Sequence, residues 1–229
     1  HHINAQFVSD YCLGSILLGL KGVFYYQRKL KEEKEFLHGD QHSFPGMHHT
    51  MIGLCSYGST ARLLRQKIRT WGFKVYVYDP YLDAEEAENE DVQLIGLEDL
   101  FKRCHLVSVH TPLLEDTCGM IGEDLICSMP PNAMFINTAR GKLINMGEFY
   151  RAVERRRDIQ FILDVTDPEY PRKGHRIYSL DNVFVTPHIA GATAYECVAL
   201  GNFVVEEFKR YLEGEALVNS WNSERVAIS

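Results

Sequence analysis

Residues 51–79, MIGLCSYGSTARLLRQKIRTWGFKVYVYD, contain the pattern that decides the fold class. An apolar run, Met51–Leu54, leads into a turn, GLCSYG at 53–58, that begins and ends in glycine. Hydrophobic residues then recur at helical spacing over Ser59–Trp71, and a second apolar run follows at Lys74–Tyr78. A strand, a glycine turn, a helix and another strand in this order predict a βαβ unit with two parallel strands.

The same alternation continues toward the C-terminus. Further strands are predicted at His105–Val109, Ala133–Ile136, Phe161–Asp164 and Val183–Val185. Further helices are predicted at Leu97–Lys102, Asp124–Met129, Gly147–Arg157 and Thr193–Glu213. Strands with so few polar positions are buried on both faces, so we predict an α/β fold with a doubly wound, Rossmann-type parallel sheet. Ligands of such sheets bind beyond the carboxyl ends of the strands.

The N-terminal third has a different pattern. Apolar residues recur at three- and four-residue steps from Asn4 to Phe36, which predicts one long helix leading into the sheet. A turn-rich connector follows at 38–49 and contains four histidines. No cysteine accompanies them and their spacing is not that of a metal site, so we predict no bound metal there. The histidines are His38, His42, His48 and His49.

Composition excludes several classes of protein. The 229 residues have a formal net charge of −7, which argues against nucleic acid as a general partner. The one basic cluster, Arg151 and Arg155 to Arg157, has helical spacing and is interpreted as a solvated face. Six cysteines without a C-x-x-C pair suggest reduced thiols, and Leu13–Leu20 is too short to span a bilayer. We therefore expect a soluble, cytoplasmic protein without a membrane partner.

The glycine turn at 53–58 resembles the dinucleotide-binding pattern G-x-G-x-x-G, which occurs between a strand and a helix. We expect Gly53 to make the tight turn and Gly58 to let the helix pack closely on the strand. Cys55 then occupies the middle glycine position, with Ser56 and Tyr57 completing the loop. The added side chain predicts weakened cofactor binding. An ordinary strand–turn–helix is the alternative interpretation of the turn.

Asp79 strengthens the cofactor hypothesis. It lies 21 residues after Gly58, at the end of a predicted strand. A carboxylate at about this distance accepts hydrogen bonds from the ribose hydroxyls, and its charge repels a 2′-phosphate. No arginine follows at Pro80 or Tyr81, so NAD is expected rather than NADP. The alternative is an acid that merely ends a strand.

Four further segments resemble those of one enzyme family. They are HTPL at 110–113, NTARG at 137–141, DVTDPE at 164–169 and TPHIAGAT at 186–193. In this order and spacing they are similar to the D-isomer-specific 2-hydroxyacid dehydrogenases, and the resemblance extends over nearly the whole chain. It implies hydride transfer between NAD(H) and a small 2-hydroxy or 2-oxo acid.

The resemblance assigns catalysis to Arg140, Glu169 and His188. A guanidinium can hold the planar substrate carboxylate with two parallel hydrogen bonds. An imidazolium can protonate the carbonyl oxygen as hydride arrives at the adjacent carbon. A carboxylate beside the ring favours its charged form. A surface arginine, a solvated loop acid and a structural histidine are the respective alternatives.

The resemblance also implies which residues line the cofactor cleft, with Asp164 on the nicotinamide carboxamide. The others that it implies are His110, Thr111, Pro112, Thr117, Asn137, Thr138, Ala139 and Gly191. The expected division is a crossover helix at 1–37, a connector at 38–49, a dinucleotide-binding domain at 50–192, and a C-terminal helix and tail at 193–229.

The family resemblance has three further implications. Its members form homodimers, and they begin with a separate substrate domain that this sequence is expected to lack. The substrate therefore cannot be deduced from these residues. A non-enzymatic, NAD(H)-responsive interaction module of the C-terminal binding protein type is the main alternative function, and a degenerate dehydrogenase kept for dimerisation is another.

Overall fold

The computed structural model describes residues 2–36 and 44–218. Within them, seven parallel strands form one sheet in the order β3-β2-β1-β4-β5-β6-β7. The strands are β1 Met51–Cys55, β2 Lys74–Tyr78, β3 Gln93–Leu94, β4 Leu106–Val109, β5 Met134–Asn137, β6 Gln160–Leu163 and β7 Val183–Val185. The doubly wound fold is confirmed, and each of the six predicted strands lies within one residue of its predicted ends.

Helices cover both faces of this sheet. They are α1 His2–Leu20, α2 Val23–Glu33, α3 Ser59–Ile68, α4 Ala84–Asn89, α5 Leu97–Arg103, α6 Glu123–Ser128, α7 Met146–Arg155 and α8 Glu196–Glu213. Short 3₁₀ turns occur at Arg69–Trp71, Gly141–Leu143 and Arg176–Ser179. One apolar cluster joins α1 and α3 to the sheet, and a second joins α5, α6 and α7 to the opposite face.

The prediction of a single helix from Asn4 to Phe36 is wrong. The chain bends by 58° between α1 and α2, and Gly22 at the break has a left-handed φ of 68°. A side-chain carbon on Gly22 would lie 2.1 Å from the ring of Phe44. Glycine therefore permits both the bend and the close approach of the aromatic ring.

Among the described residues, one α-helix and one strand were not predicted from the sequence, and both are short. Helix α4 is a single six-residue acidic segment, which begins where Asp83 accepts a hydrogen bond from the backbone N–H of Glu86 at 2.8 Å. Strand β3 has two residues and lies at the edge of the sheet. Neither is long enough to show a hydrophobic period.

The described helices give no simple membrane span. None of them alone is long and apolar enough to cross a bilayer, although α1 and α2 meet the length and composition criteria as a bent pair. The predicted connector at 38–49 falls partly outside the described residues. Two of its histidines, His38 and His42, lie wholly outside them.

Candidate functional site

The strand order places the candidate site at the carboxyl edge of the sheet. The strand order reverses between β1 and β4, which are hydrogen-bonded neighbours. The helices that follow them, α3 after β1 and α6 after β4, lie on opposite faces of the sheet. A crevice opens at such a point in doubly wound sheets. Strands β5, β6 and β7 lie side by side beyond it, so the segments after their carboxyl ends are also neighbours.

The tight turn after β1 lies at Ser56 and not at Gly53. Ser56 has a left-handed φ of 73°, whereas Gly53 lies inside β1. A side-chain carbon on Gly53 would lie 2.9 Å from Leu100 Cγ and 3.1 Å from Cys104 Sγ. Gly53 is therefore required for strand–helix packing, and its predicted role in the turn is wrong.

A second register of the dinucleotide-binding pattern fits the turn at Ser56. Ser56, Gly58 and Ala61 have the G-x-G-x-x-G/A spacing, with the turn at the first position and close packing at the third. Ala61 is fully buried against the sheet, and a side-chain carbon on Gly58 would meet nothing within 4 Å. Gly58, which was predicted to pack the helix, is thus the open middle position. Allowing small residues at the outer positions would have found this register in the sequence.

The thiol of Cys55 is buried beneath the glycine turn. It is the last residue of β1 and is fully buried, and burial raises the pKa of its thiol to about 11. Its carbonyl oxygen accepts a hydrogen bond from the Thr111 hydroxyl at 3.2 Å, and the Ser56 hydroxyl donates to Thr111 at 3.0 Å. The Cys55 side chain therefore points into the core, and the expected weakening of cofactor binding stays a prediction.

Asp79 is fixed beside this loop. Its Oδ2 accepts the backbone N–H of Tyr57 at 2.7 Å, and its Oδ1 accepts that of Tyr81 at 2.8 Å. The carboxylate is half-buried, and each oxygen retains a lone pair for a further donor such as a hydroxyl. The ring of Tyr57 is only 2% exposed and stacks under Arg62, so only the backbone of Tyr57 belongs to the loop.

A cavity of about 160 Å³ lies against the start of α3. It is lined by Asn4, Ala5, Gly58, Ser59, Thr60 and His110. His110 Nε2 is buried and has no hydrogen-bond partner among the described residues, and burial lowers the pKa of His110 to about 4. An open helix N-terminus and a buried ring nitrogen without a partner both suit the oxygens of a pyrophosphate. The residues present therefore fit a dinucleotide.

The side chains of His188 and Glu169 are in contact between the loops after β7 and β6. The Nδ1 atom of His188 contacts Oε1 of Glu169, and the two side chains are 46% and 35% exposed. The backbone N–H of His188 donates to the carbonyl oxygens of Asp164 and Thr186, each at 3.0 Å. His188 has a left-handed φ of 55°, so these contacts hold an unfavourable backbone conformation.

Asp164 anchors the loop that follows β7. It is 1% exposed, and its Oδ1 accepts the Thr186 hydroxyl at 2.5 Å and the backbone N–H of Ile189 at 2.9 Å. Its Oδ2 accepts the backbone N–H of Ala190 at 2.8 Å. A contact with the nicotinamide carboxamide stays a prediction, whereas these three bonds show that Asp164 orders the loop of His188.

Asn137 shapes the turn that presents Arg140. Its fully buried side chain accepts the backbone N–H of Ala139 at 3.0 Å and donates to the carbonyl oxygen of Arg140 at 2.9 Å. The exposed guanidinium of Arg140 donates to the carbonyl oxygen of Ala139 at 2.7 Å. Since β5 and β6 are neighbours, Arg140 emerges beside the loop of Glu169.

The remaining residues that the resemblance implied lie around the same edge. Thr117 closes the turn after β4 by donating to the carbonyl oxygen of Pro112 at 2.7 Å. Thr138 is 7% exposed and contacts Cys12 of α1, and Gly191 lies against Asn4. In the part of the chain described, no three histidine, cysteine or acidic side chains are placed to hold a metal ion.

Comparisons with known proteins agree with this geometry. A sequence profile described as D-isomer specific 2-hydroxyacid dehydrogenase, NAD binding domain, matches residues 13–190. A D-3-phosphoglycerate dehydrogenase from Methanocaldococcus jannaschii is 29% identical over 222 residues, which are 96% of this chain and 41% of that protein. One from Mycobacterium bovis is 30% identical over 171 residues, which are 75% of this chain and 32% of that protein.

Solved structures show the same fold. A phosphoglycerate oxidoreductase from Rhizobium etli has a TM-score of 0.82 at 23% identity, covering 100% of this chain and 69% of that one. A D-isomer specific 2-hydroxyacid dehydrogenase from Lactobacillus delbrueckii, solved with NAD, has a TM-score of 0.80 at 21% identity. The match covers 95% of this chain and 69% of that one. The chain thus spans about two fifths of the M. jannaschii relative and about two thirds of these structures.

Proposed function

Because this chain belongs to the D-isomer specific 2-hydroxyacid dehydrogenase family and contains its NAD-binding domain, we propose that the protein is an oxidoreductase. It transfers a hydride between NAD(H) and a small D-2-hydroxy acid or the corresponding 2-oxo acid. The contact between His188 Nδ1 and the Glu169 carboxylate is the observation that carries this proposal. It joins two loops at the sheet edge where a doubly wound fold binds its ligand.

His188 is the proposed acid and base. Glu169 accepts the proton on Nδ1, so Nε2 is the nitrogen that faces the substrate. NADH, when bound, supplies the hydride to the carbonyl carbon of the 2-oxo acid. His188 donates its Nε2 proton to the carbonyl oxygen, which gives the hydroxyl. In the oxidative direction, neutral His188 accepts that proton.

Arg140 is the proposed carboxylate-binding residue. Its planar guanidinium is exposed at the end of β5, next to the loop of Glu169. Two parallel hydrogen bonds to the substrate carboxylate would orient the adjacent carbonyl toward His188. The proposed NAD site consists of Ser56, Gly58 and His110 at the pyrophosphate and Asp79 at the ribose.

The relatives are named as dehydrogenases, which does not favour the alternative of a non-enzymatic NAD(H)-responsive module. Their names also make 3-phosphoglycerate the first substrate to examine. The expected homodimer is part of the proposal, and sedimentation of the purified protein would test it.

NADH oxidation by the purified protein tests the proposed activity. The 2-oxo acids offered are glyoxylate, pyruvate, hydroxypyruvate and 3-phosphohydroxypyruvate, and His188→Gln is the matched variant. We expect oxidation with at least one acid and a loss of about 100-fold or more in the variant, because general acid catalysis is worth that much. Consumption of NADH at equal rates by both proteins would contradict the proposal.

A further inference from the structure

Helix α1 contacts the loop of His188 at two points, although 175 residues separate the partners at one of them. The hydroxyl of Tyr11 lies 2.6 Å from Oγ1 of Thr186, two residues before His188. The side chain of Asn4 accepts the backbone N–H of Ala192, four residues after His188, at 2.9 Å. The two contacts therefore flank the left-handed residue that carries the imidazole.

The Tyr11 contact has a defined direction. The hydroxyl proton of Thr186 is donated to Asp164 Oδ1 at 2.5 Å, so Tyr11 must be the donor to Thr186. Burial raises the pKa of Tyr11, which keeps this hydroxyl protonated. Asp164 in turn accepts the backbone N–H groups of Ile189 and Ala190. A continuous chain of hydrogen bonds thus runs from α1 to both residues that follow His188.

The Asn4 contact closes the other end of the loop. A side-chain carbon on Gly191 would lie 2.9 Å from Asn4 Oδ1 and 3.3 Å from Nδ2, so the backbone of the loop packs directly on the amide. Asn4 also lines the cavity beside Gly58 and His110. One side chain therefore contacts both the proposed pyrophosphate cavity and the loop of His188.

We infer that Tyr11 and Asn4 of α1 are positioning residues that hold the loop of His188 in its catalytic conformation. This inference rests on the proposed function, because it assigns the two residues to that reaction. Tyr11 acts through Thr186 and Asp164, and Asn4 acts through the backbone of Ala192. Neither side chain contacts His188 in the hydrogen bonds that the described residues make.

Tyr11→Phe tests the inference because it removes only the hydroxyl. We expect hydrogen exchange of the Ile189 and Ala190 amides to accelerate about three- to tenfold, which matches the loss of one net hydrogen bond. In the active protein kcat should fall by a similar factor, whereas KM for NADH should change less than twofold. Tyr150→Phe is the matched control, since the Tyr150 hydroxyl is buried without a partner among the described residues.

A double-mutant cycle with Thr186→Val separates positioning from general destabilisation. If Tyr11 acts through Thr186, Tyr11→Phe should change exchange and kcat less than twofold in the Thr186→Val background. Equal effects in both backgrounds would overturn the route through Thr186. A Tyr11→Phe protein that matches Tyr150→Phe in exchange and kcat would overturn the role of Tyr11.

Asn4→Ala makes the corresponding test at the other contact. Exchange of the Ala192 amide should accelerate three- to tenfold, and an unchanged rate would overturn the role of Asn4. Amide exchange needs no turnover, so it also distinguishes failure of the positioning role from failure of the proposed dehydrogenase activity. Wild-type protein that oxidises no NADH would refute the proposed dehydrogenase and with it a catalytic role for positioning. Wild-type turnover with unaltered exchange and kcat in the variants would refute the positioning alone.

Discussion

The Cα atom of Gly141 lies directly against the backbone of Thr166. A methyl group on Gly141 would lie 2.1 Å from the carbonyl carbon and oxygen of Thr166 and 2.7 Å from the amide nitrogen of Asp167. Gly141 immediately follows Arg140, and Thr166 lies in the loop that contains Glu169. The close approach therefore fixes the distance between the loops of two proposed catalytic residues.

Gly141→Ala should separate these loops. Because the neighbouring atoms are backbone atoms that cannot rotate away, we expect a loss of about 3 kcal/mol in the free energy of unfolding. Activity should fall further than stability, since Arg140 and Glu169 move apart. Urea unfolding and NADH oxidation check this. Gly201→Ala in α8 is the control, because a methyl group there meets nothing within 4 Å, and a Gly141→Ala protein as stable as this control would disprove the argument.

Two substitutions at Ser56 test the position of the left-handed turn in the loop after β1. Ser56→Gly and Ser56→Ala both remove the hydrogen bond to Thr111, but only alanine keeps a side chain at a φ of 73°. We expect the glycine variant to be more stable by about 1 kcal/mol. Thermal unfolding of the pair measures this difference. Equal stability, or a more stable alanine variant, would show that the turn does not lie at this residue.

Asp79→Asn tests the choice of cofactor. The variant lacks the charge and can no longer accept both the Tyr57 and Tyr81 N–H groups. The dissociation constant for NADH should rise about tenfold, and that for NADPH should stay the same or fall. Fluorescence titration with both nucleotides measures this. Asp181→Asn, which precedes the amino end of β7 at the opposite edge, should change neither constant, and an unaltered NADH affinity in Asp79→Asn would refute the ribose contact.

His110 predicts a specific pH dependence of stability. Burial lowers its pKa from 6.5 to about 4, so the unfolded chain binds a proton between these values and the folded chain does not. Protonation of His110 therefore does not lower the free energy of unfolding above pH 6.5. As the pH falls toward 4, the free energy of unfolding decreases by up to about 1.4 kcal/mol per pH unit. His110→Gln should flatten the unfolding free energy over this range. An identical slope in both proteins would place His110 in solvent.

Sequence patterns predicted those parts of the fold that depend on local information. Each long strand is a run of apolar residues, so its position follows from its own composition. The bend at Gly22 depends on contact with Phe44, which local periodicity does not contain. The register of the phosphate loop depends on the left-handed φ of Ser56 and the burial of Cys55 beside Thr111, which only the assembled sheet shows.

The candidate site divides in the same way. The resemblance indicated Glu169 and His188, and the structure brings these two side chains into contact. Tyr11 and Asn4 are not identifiable from the sequence, because their partners Thr186 and Ala192 are distant in the chain and the contact depends on how α1 packs. Thr186 is the first residue of the TPHIAGAT segment, so the sequence marked its position, whereas its hydrogen bond with Tyr11 was not identifiable from the sequence.

Deuteride transfer from NADH to a 2-oxo acid shows whether the protein is a dehydrogenase. Wild-type protein and Glu169→Gln are each given NADH labelled with deuterium at C4 and the best 2-oxo acid, and deuterium at C2 of the hydroxy acid is measured by mass spectrometry. We expect labelled hydroxy acid from the wild type. The rate should be at least tenfold lower in the variant, with NADH affinity unchanged, because His188 loses its carboxylate partner. Wild-type protein that binds NADH without labelling any acid, or a variant that transfers deuteride at the wild-type rate, would contradict the proposed function.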